Sequence, residues 1–401
     1  MRRTAPHPWV FAVLYFPMGL MIGYPSVALG YLGSRAGVPV SATAAIVGMS
    51  FLAHAFKFIW APLGDYSLSR KTWYLLAASV MAVVTLAITV TPISGRTVPL
   101  LSVLVLGANL AATFLAFATE GLMAHNTMSA MRGRAAGWFQ SGNQFGQTAG
   151  GGLGLFLMKH LPQPWIAGAV LGAVILACAA CTRLLEEPPR ALRGESVGAR
   201  MRDALRELAS VIRSRPGRIG LLLAILPIGT GTAQFLFGSL GPEWHASADV
   251  VSFALGAGGG VVIVLGCITG GLLADRVEKP TAYWIACALG VVAVAIMPFS
   301  PRNSIGYAAT TLFYTFTLGM CTATLTGMVL AIIGERAAAT KINLFFAMNT
   351  LFSLGVLRLE GFVHDRWATN AMLLTEAALG VAALVLFVAV SSRIRGADRA
   401  H

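Results

Sequence analysis

Residues 271–279 read Gly271-Leu272-Leu273-Ala274-Asp275-Arg276-Val277-Glu278-Lys279, and half a chain earlier residues 64–71 read Gly64-Asp65-Tyr66-Ser67-Leu68-Ser69-Arg70-Lys71. Asp65 and Asp275 lie 210 residues apart in a chain of 401. Each follows a glycine at the end of an apolar run and precedes basic residues in a very short loop. Such a loop forces two helices together, glycine permits their close approach, and the Asp can pair with Arg or cap a helix N-terminus. The spacing therefore predicts two halves that repeat in parallel. On this reading Asp65, Arg70, Asp275 and Arg276 are gating candidates that close one end of a path between the halves. The alternative is that these charges only set topology.

The surrounding chain is 56% hydrophobic, with a mean hydropathy of +0.74. Only 11% of residues are charged, against roughly 25% in a soluble domain. Too few charges remain to cover a water-facing surface, so soluble enzymes, disordered chains and fibres are excluded together. Windows of about 20 apolar residues predict spans near 8–32, 43–64, 73–93, 98–126, 135–158 and 164–182, then 218–240, 249–274, 281–299, 304–334, 342–363 and 371–392. The predicted fold class is an all-α polytopic membrane protein of twelve transmembrane helices, arranged as two six-helix bundles with pseudo-two-fold symmetry. The N-terminal bundle covers 1–182, a linker 183–217 and the C-terminal bundle 218–401. Arg2 and Arg3 precede an apolar run too long for a typical signal sequence, so the first span is expected to be retained.

A net charge of +13 would suggest nucleic acid in a soluble protein, but here its distribution decides. Arg2, Arg3, Arg70, Lys71, Arg132, Arg134, Arg276, Lys279, Arg336, Lys341, Arg393, Arg395 and Arg399 fall on one side of the predicted membrane, joined by the Arg-rich linker. Arg35, Arg96, Lys159, Arg302 and Arg366 fall on the other. The bias places both termini in the cytoplasm, with no nucleic-acid partner. In the linker, Glu186-Glu187-Pro188-Pro189 should stop span six. Val197, Met201, Leu205, Leu208 and Ile212 then mark an amphipathic helix lying at the membrane surface. The five cysteines all sit inside apolar runs and are read as packing residues, with no metal or other cofactor expected. No GxSxG, HExxH or P-loop string occurs, so no enzyme is predicted.

The Gly-Leu-Leu-Ala-Asp-Arg string resembles the loop motif of the major facilitator superfamily. More narrowly, Phe56-Lys57-Phe58-Ile59-Trp60-Ala61-Pro62-Leu63-Gly64-Asp65 is similar to the signature ending span two in AmpG-type muropeptide permeases and their acetyl-CoA transporter relatives. Tyr31-Leu32-Gly33-Ser34-Arg35-Ala36-Gly37-Val38, Arg132-Gly133-Arg134-Ala135-Ala136-Gly137 and Gly150-Gly151-Gly152-Leu153 extend the likeness over roughly residues 15–160. The resemblance, which includes related siderophore importers, implies a bacterial inner-membrane permease. It would take up a bulky polar or amphipathic solute with a proton gradient, its partners being lipid, a small-molecule solute and protons. A monomer is expected. Such relatives commonly carry a Gln-Asp pair in span four, which is absent here; Glu120 matches one acidic position and His125 stands where another acid is usual.

An ionisable group within a span needs a reason, because its insertion is costly. Glu120 and His125 are candidates for proton coupling, with Lys57 as a charge partner of Asp65 or Glu120. An early end to span four would instead leave Glu120 and His125 facing the cytoplasm. Arg358, Glu360 and Glu376 are gating candidates expected to form a cluster near the outer ends of spans eleven and twelve, or a structural ion pair. Facilitator cavities are lined by the first, fourth, seventh and tenth helices, which nominates Tyr15, Tyr24, Gln234, Tyr314 and Thr317 as solute contacts. Span five adds Asn143 and Gln144 among its amides, which must bond to other helices or face the cavity. Two other functions fit the same pattern: a drug/proton antiporter, and a non-transporting membrane assembly factor.

Overall fold

No water reaches the backbone in a bilayer core, so each apolar run must pair its own N–H and C=O groups, and a helix does so within one segment. The computed structural model describes residues 7–57, 68–127, 132–187, 213, 231–333 and 338–398, and every regular element among them is helical. In chain order these are α1 (Trp9–Arg35), α2 (Val40–Ala55), α3 (Arg70–Val90), α4 (Val98–Asn126), α5 (Arg132–His160), α6 (Pro164–Leu184), α7 (Phe237–Leu240), α8 (Ala248–Arg276), α9 (Lys279–Phe299) and α10 (Ser304–Ile333). The last helical stretch, Ala338–Asp398, turns at Ala368, where φ is 66°, and so divides into α11 (338–367) and α12 (369–398). Each of these elements overlaps a predicted span, although of the spans predicted at 43–64 and 218–240 only 43–57 and 231–240 lie among the described residues. Seven described segments are individually long and apolar enough to cross a membrane, one of them running through the turn at Ala368.

Local chemistry marks several boundaries. Ser69 caps α3 by accepting from the Thr72 N–H at 3.1 Å, and Ser247 caps α8 by accepting from the Val250 N–H at 3.3 Å. Pro164 and Pro280 open α6 and α9, where the missing N–H removes no helical bond. Inside α1, Pro25 begins a π-helical turn over Pro25–Leu29, a local widening of the kind that a missing donor favours. The outer faces carry apolar side chains: Val83, Val103, Val261 and Val385 are 68%, 65%, 63% and 64% exposed. A continuous belt of this kind suits lipid and would be a liability in water.

Within the first half of the chain α1 packs on α5 and α4, α3 packs on α4 and α6, and α2 packs on α4. In the second half α8 and α9 both pack on α10. Across the halves α2 meets α11, α5 meets the start of α8, and α1 meets α7. Gly152 and Gly256 lie so close that a Cβ on Gly152 would come 2.5 Å from the Gly256 Cα. Gly256 and Gly260 of α8 thus face α5 across the halves, the latter against Thr148.

These contacts gather toward one end, the face that carries the turns at 36–39, 245–247 and 368. There the Asp365 carboxylate accepts from the Val40 N–H at 3.0 Å and the Ser41 N–H at 3.1 Å, capping α2 from the opposite half. The Ser252 hydroxyl donates to the Gly152 carbonyl at 2.7 Å, the Tyr31 hydroxyl donates to the Ala246 carbonyl at 3.3 Å, and Lys159 pairs with Asp249. Among the described residues this end, the sealed face, is where the halves are joined. Asp65 and its loop, and the amphipathic helix expected at 197–212, lie outside the described residues.

Candidate functional site

The first-half charges converge on α4. Lys57 Nζ lies 2.6 Å from Glu120 Oε1 and 5.1 Å from the centroid of the Phe117 ring. One turn back along α2, His54 Nε2 is 3.3 Å from Asn109 Oδ1. Asn109 is fully buried, and its amide donates to the Met21 carbonyl, the Ser50 hydroxyl and the Val105 carbonyl. His54 in the last turn of α2 and Lys57, two residues beyond its end, thus both reach α4. The Arg70 guanidinium lies over Gly121, next to Glu120. α4 continues to Asn126, so Glu120 lies inside it, one-third exposed, whereas His125 is exposed in its last turn.

The amides of α5 divide between packing and a cavity. Gln147 donates to Asn143 Oδ1 at 2.6 Å and to Gln144 Oε1 at 3.1 Å. Asn143 is buried beside Tyr15, whose ring stacks on Phe139 with centroids 3.5 Å apart. Tyr24 is also buried, against Gly154. Gln144 and Gln147 instead open into a cavity of about 60 Å3 between the halves, together with Ser26, Thr148, Gln234 and Thr315. Gln144 and Gln234, nominated from opposite halves, therefore meet at one space. Tyr15, Tyr24 and Asn143 are not among the residues that line it.

Tyr314 and Thr317 line a different space, a cavity of about 40 Å3 within the second half that Glu376 also borders. The Tyr314 hydroxyl donates to Glu376 Oε1 at 2.6 Å, and the Thr232 hydroxyl donates to Glu360 Oε1 at 2.6 Å. Glu360 is fully buried, while Arg358 is exposed. The expected three-residue cluster is thus two carboxyls without the arginine, because residues two apart point to opposite sides of a helix. Asp275 and Arg276 are exposed at the end of α8, and among the described residues neither forms an ion pair.

Several polar contacts were not anticipated. Glu187 accepts from the Arg70 N–H at 2.5 Å and the Lys71 N–H at 3.1 Å, so the acidic stop after α6 also caps α3. Glu243 accepts from His364 at 2.7 Å and from the Thr369 hydroxyl. Arg302 lies 3.7 Å above the Trp244 ring and bonds Asn370. Their partners are separated by tens to hundreds of residues, and no periodicity carries such a signal.

α1 thus meets its equivalent α7, while α2 meets α11 as α5 meets α8, an exchanged pairing that relates the two halves, with polar groups between them. The Major Facilitator Superfamily model matches residues 11–357. The chain belongs to the Major Facilitator Superfamily. Its fold is that of the superfamily, with the twelve-helix layout. Solved structures with this fold include the nucleoside transporter NupG in a D323A mutant, at 14% identity and a TM-score of 0.70, covering 95% of this chain and 99% of that one. A D-xylose–proton symporter matches at 14% identity and a TM-score of 0.72, covering 94% and 96%. A bacterial homologue of the human lysosomal transporter Spinster, inward-facing and occupied, matches at 12% identity and a TM-score of 0.73, covering 96% of each chain. No curated protein matches the sequence significantly.

Proposed function

We propose that this facilitator is a bacterial inner-membrane secondary active transporter that works by alternating access and imports a polar organic solute with protons. The single observation carrying this reading is the cavity between the halves, lined by Ser26, Gln144, Gln147, Thr148, Gln234 and Thr315. Amides and hydroxyls from both halves can hold a neutral polar group without the desolvation cost of a fixed charge. A site shared by two halves is exposed to opposite sides when they rock. With both termini in the cytoplasm, the sealed face is periplasmic. A volume of about 60 Å3 holds a few waters and no bulky solute. The loaded state must therefore part the halves further.

Within this reading Glu120 is the proton-coupling carboxyl of the first half, with Lys57 as the partner that competes with the proton. Asp65, Arg70, Asp275 and Arg276 belong to the cytoplasmic gate. Muropeptides and ferric siderophores are the solute classes that the sequence resemblance supports.

Proteoliposomes offered a labelled muropeptide or a labelled ferric siderophore test the proposal. An inwardly directed proton gradient is expected to raise initial uptake of one of them, and a protonophore or Glu120→Gln to abolish the gradient-driven part. Gln144→Ala and Gln234→Ala should each raise KM severalfold, since a hydrogen bond is worth ~1 kcal/mol. Uptake indifferent to both the gradient and Glu120→Gln overturns the coupling. Greater sensitivity of a deletion strain to toxic compounds, with no uptake of either probe, assigns export instead.

A further inference from the structure

Glu360 and Glu376 come from α11 and α12, and they meet groups from two other elements. Thr232, just before α7, donates to Glu360, and Tyr314 of α10 donates to Glu376, each at 2.6 Å. The Ala233 backbone N–H lies beside the Glu376 carboxyl. Each carboxyl has one oxygen so satisfied. The other, Oε2 in both residues, is buried and makes no hydrogen bond among the described residues. The two carboxyls are near enough to interact electrostatically. Among the described residues no Lys, Arg or His forms an ion pair with either.

The remaining titratable neighbours are Tyr314 and Cys321 on α10 and Cys287 on α9, all ordinarily neutral at physiological pH. From α2, the groups packed against α11 at this level are Ser41 and Ala44, which meet Gly361. Among the described residues no positive charge therefore pairs with either carboxyl from these elements. Two ionised carboxylates cannot stand together in such surroundings without a counter-charge. Both nearby hydroxyl hydrogens are already committed to Oε1 atoms, so what the second oxygens lack is a donor hydrogen. The cavity of about 40 Å3 beside Glu376 is large enough for water, which can deliver one.

We propose that Glu360 and Glu376 form a proton-binding site inside the second half, holding at least one proton at neutral pH and exchanging it with water in the adjoining cavity. Uptake forms an O–H bond at a carboxylate oxygen with a proton taken from cavity water, and release returns the proton to that water. This site deepens the proton coupling proposed above by placing a second carrier away from Glu120. Glu360 lies five residues before Asp365, about 7.5 Å along the helix axis. A change of charge here therefore acts on the same helix that caps α2 at the sealed face.

Infrared spectroscopy of the purified protein in lipid nanodiscs, titrated with pH and without any solute, tests the site independently of transport. The carbonyl stretch of a protonated carboxylic acid is expected in the wild type at neutral pH. It should be lost or halved in Glu360→Gln and Glu376→Gln, and retained in Glu120→Gln. Tyr314→Phe, which keeps both carboxyls, should shift the band by removing one hydrogen bond, and it serves if the Gln variants fold poorly. Absence of the band in the wild type overturns the proposal, as does a band unmoved by all three substitutions. A band that disappears when sodium replaces choline in the buffer assigns the pair to a metal cation and overturns the proton.

Discussion

At the scale of single residues, Glu243 shows how a turn at the sealed face is fastened. Burial raises its carboxyl, but the hydrogen bonds from His364 and Thr369, with the charges of His364 and Arg302, outweigh that and hold it below the usual carboxylate value. A depressed carboxylate stabilises the fold above its unfolded pKa, and that contribution disappears as pH falls through the folded value. Glu243→Gln is therefore expected to lower the Tm at neutral pH, with the gap from wild type closing in acid below the ordinary carboxylate range. Melting curves across pH check this, and a pH-independent gap would refute it. Which residues carry charge into the membrane was legible in the sequence, because Lys57, Glu120, Glu360 and Glu376 stand out in apolar runs. Which of them meet was not. Lys57 reaches Glu120 across 63 positions, whereas Arg358 misses Glu360 although only one residue separates them.

At the scale of elements, the contact of α1 with α5 rests on glycine. A Cβ at Gly146 would overlap the Phe16 carbonyl oxygen, and one at Gly19 would overlap that of Asn143. Without a hydrophobic force between helices in lipid, close backbone approach supplies the packing. Gly146→Ala should cost ~1–3 kcal/mol by overpacking, seen as a lower Tm in detergent. It should also loosen the wall that presents Gln144 and Gln147. An unchanged Tm would show that the helices separate without cost. The glycine-rich and amide-rich character of α5 was legible as composition. Its division was not, since Asn143 and Gln144 are adjacent in sequence yet one is buried beside Tyr15 and the other opens into the cavity.

At the scale of the whole molecule, the cross-half contacts among the described residues include a backbone approach of α2 and α11 at the sealed face. A Cβ at Gly361 would lie 2.8 Å from the Ser41 Cα, tighter than a disulfide needs, so bridging the pair requires the α2 and α11 backbones to move slightly apart. In a background lacking the five native cysteines, Ser41→Cys with Gly361→Cys should cross-link under oxidation and stop solute exchange. A reductant should restore it. Unchanged flux through the cross-linked protein would mean that this face need not open, and alternating access would fail with it.

Composition and hydropathy alone determined that this chain is a helical membrane protein of many crossings, because a bilayer sets the length and polarity of each span. The paired Asp loops gave the expectation of two repeating halves, because a repeat leaves its mark at matching positions along the chain. Only the tertiary structure decided that α2 and α11 close one face through Asp365 and that Gln144 meets Gln234. It also decided that Glu360 and Glu376 form no ion pair among the described residues. Each of those facts depends on how helices distant in sequence rotate against one another, and a rotation of one residue, about 100°, would replace every partner.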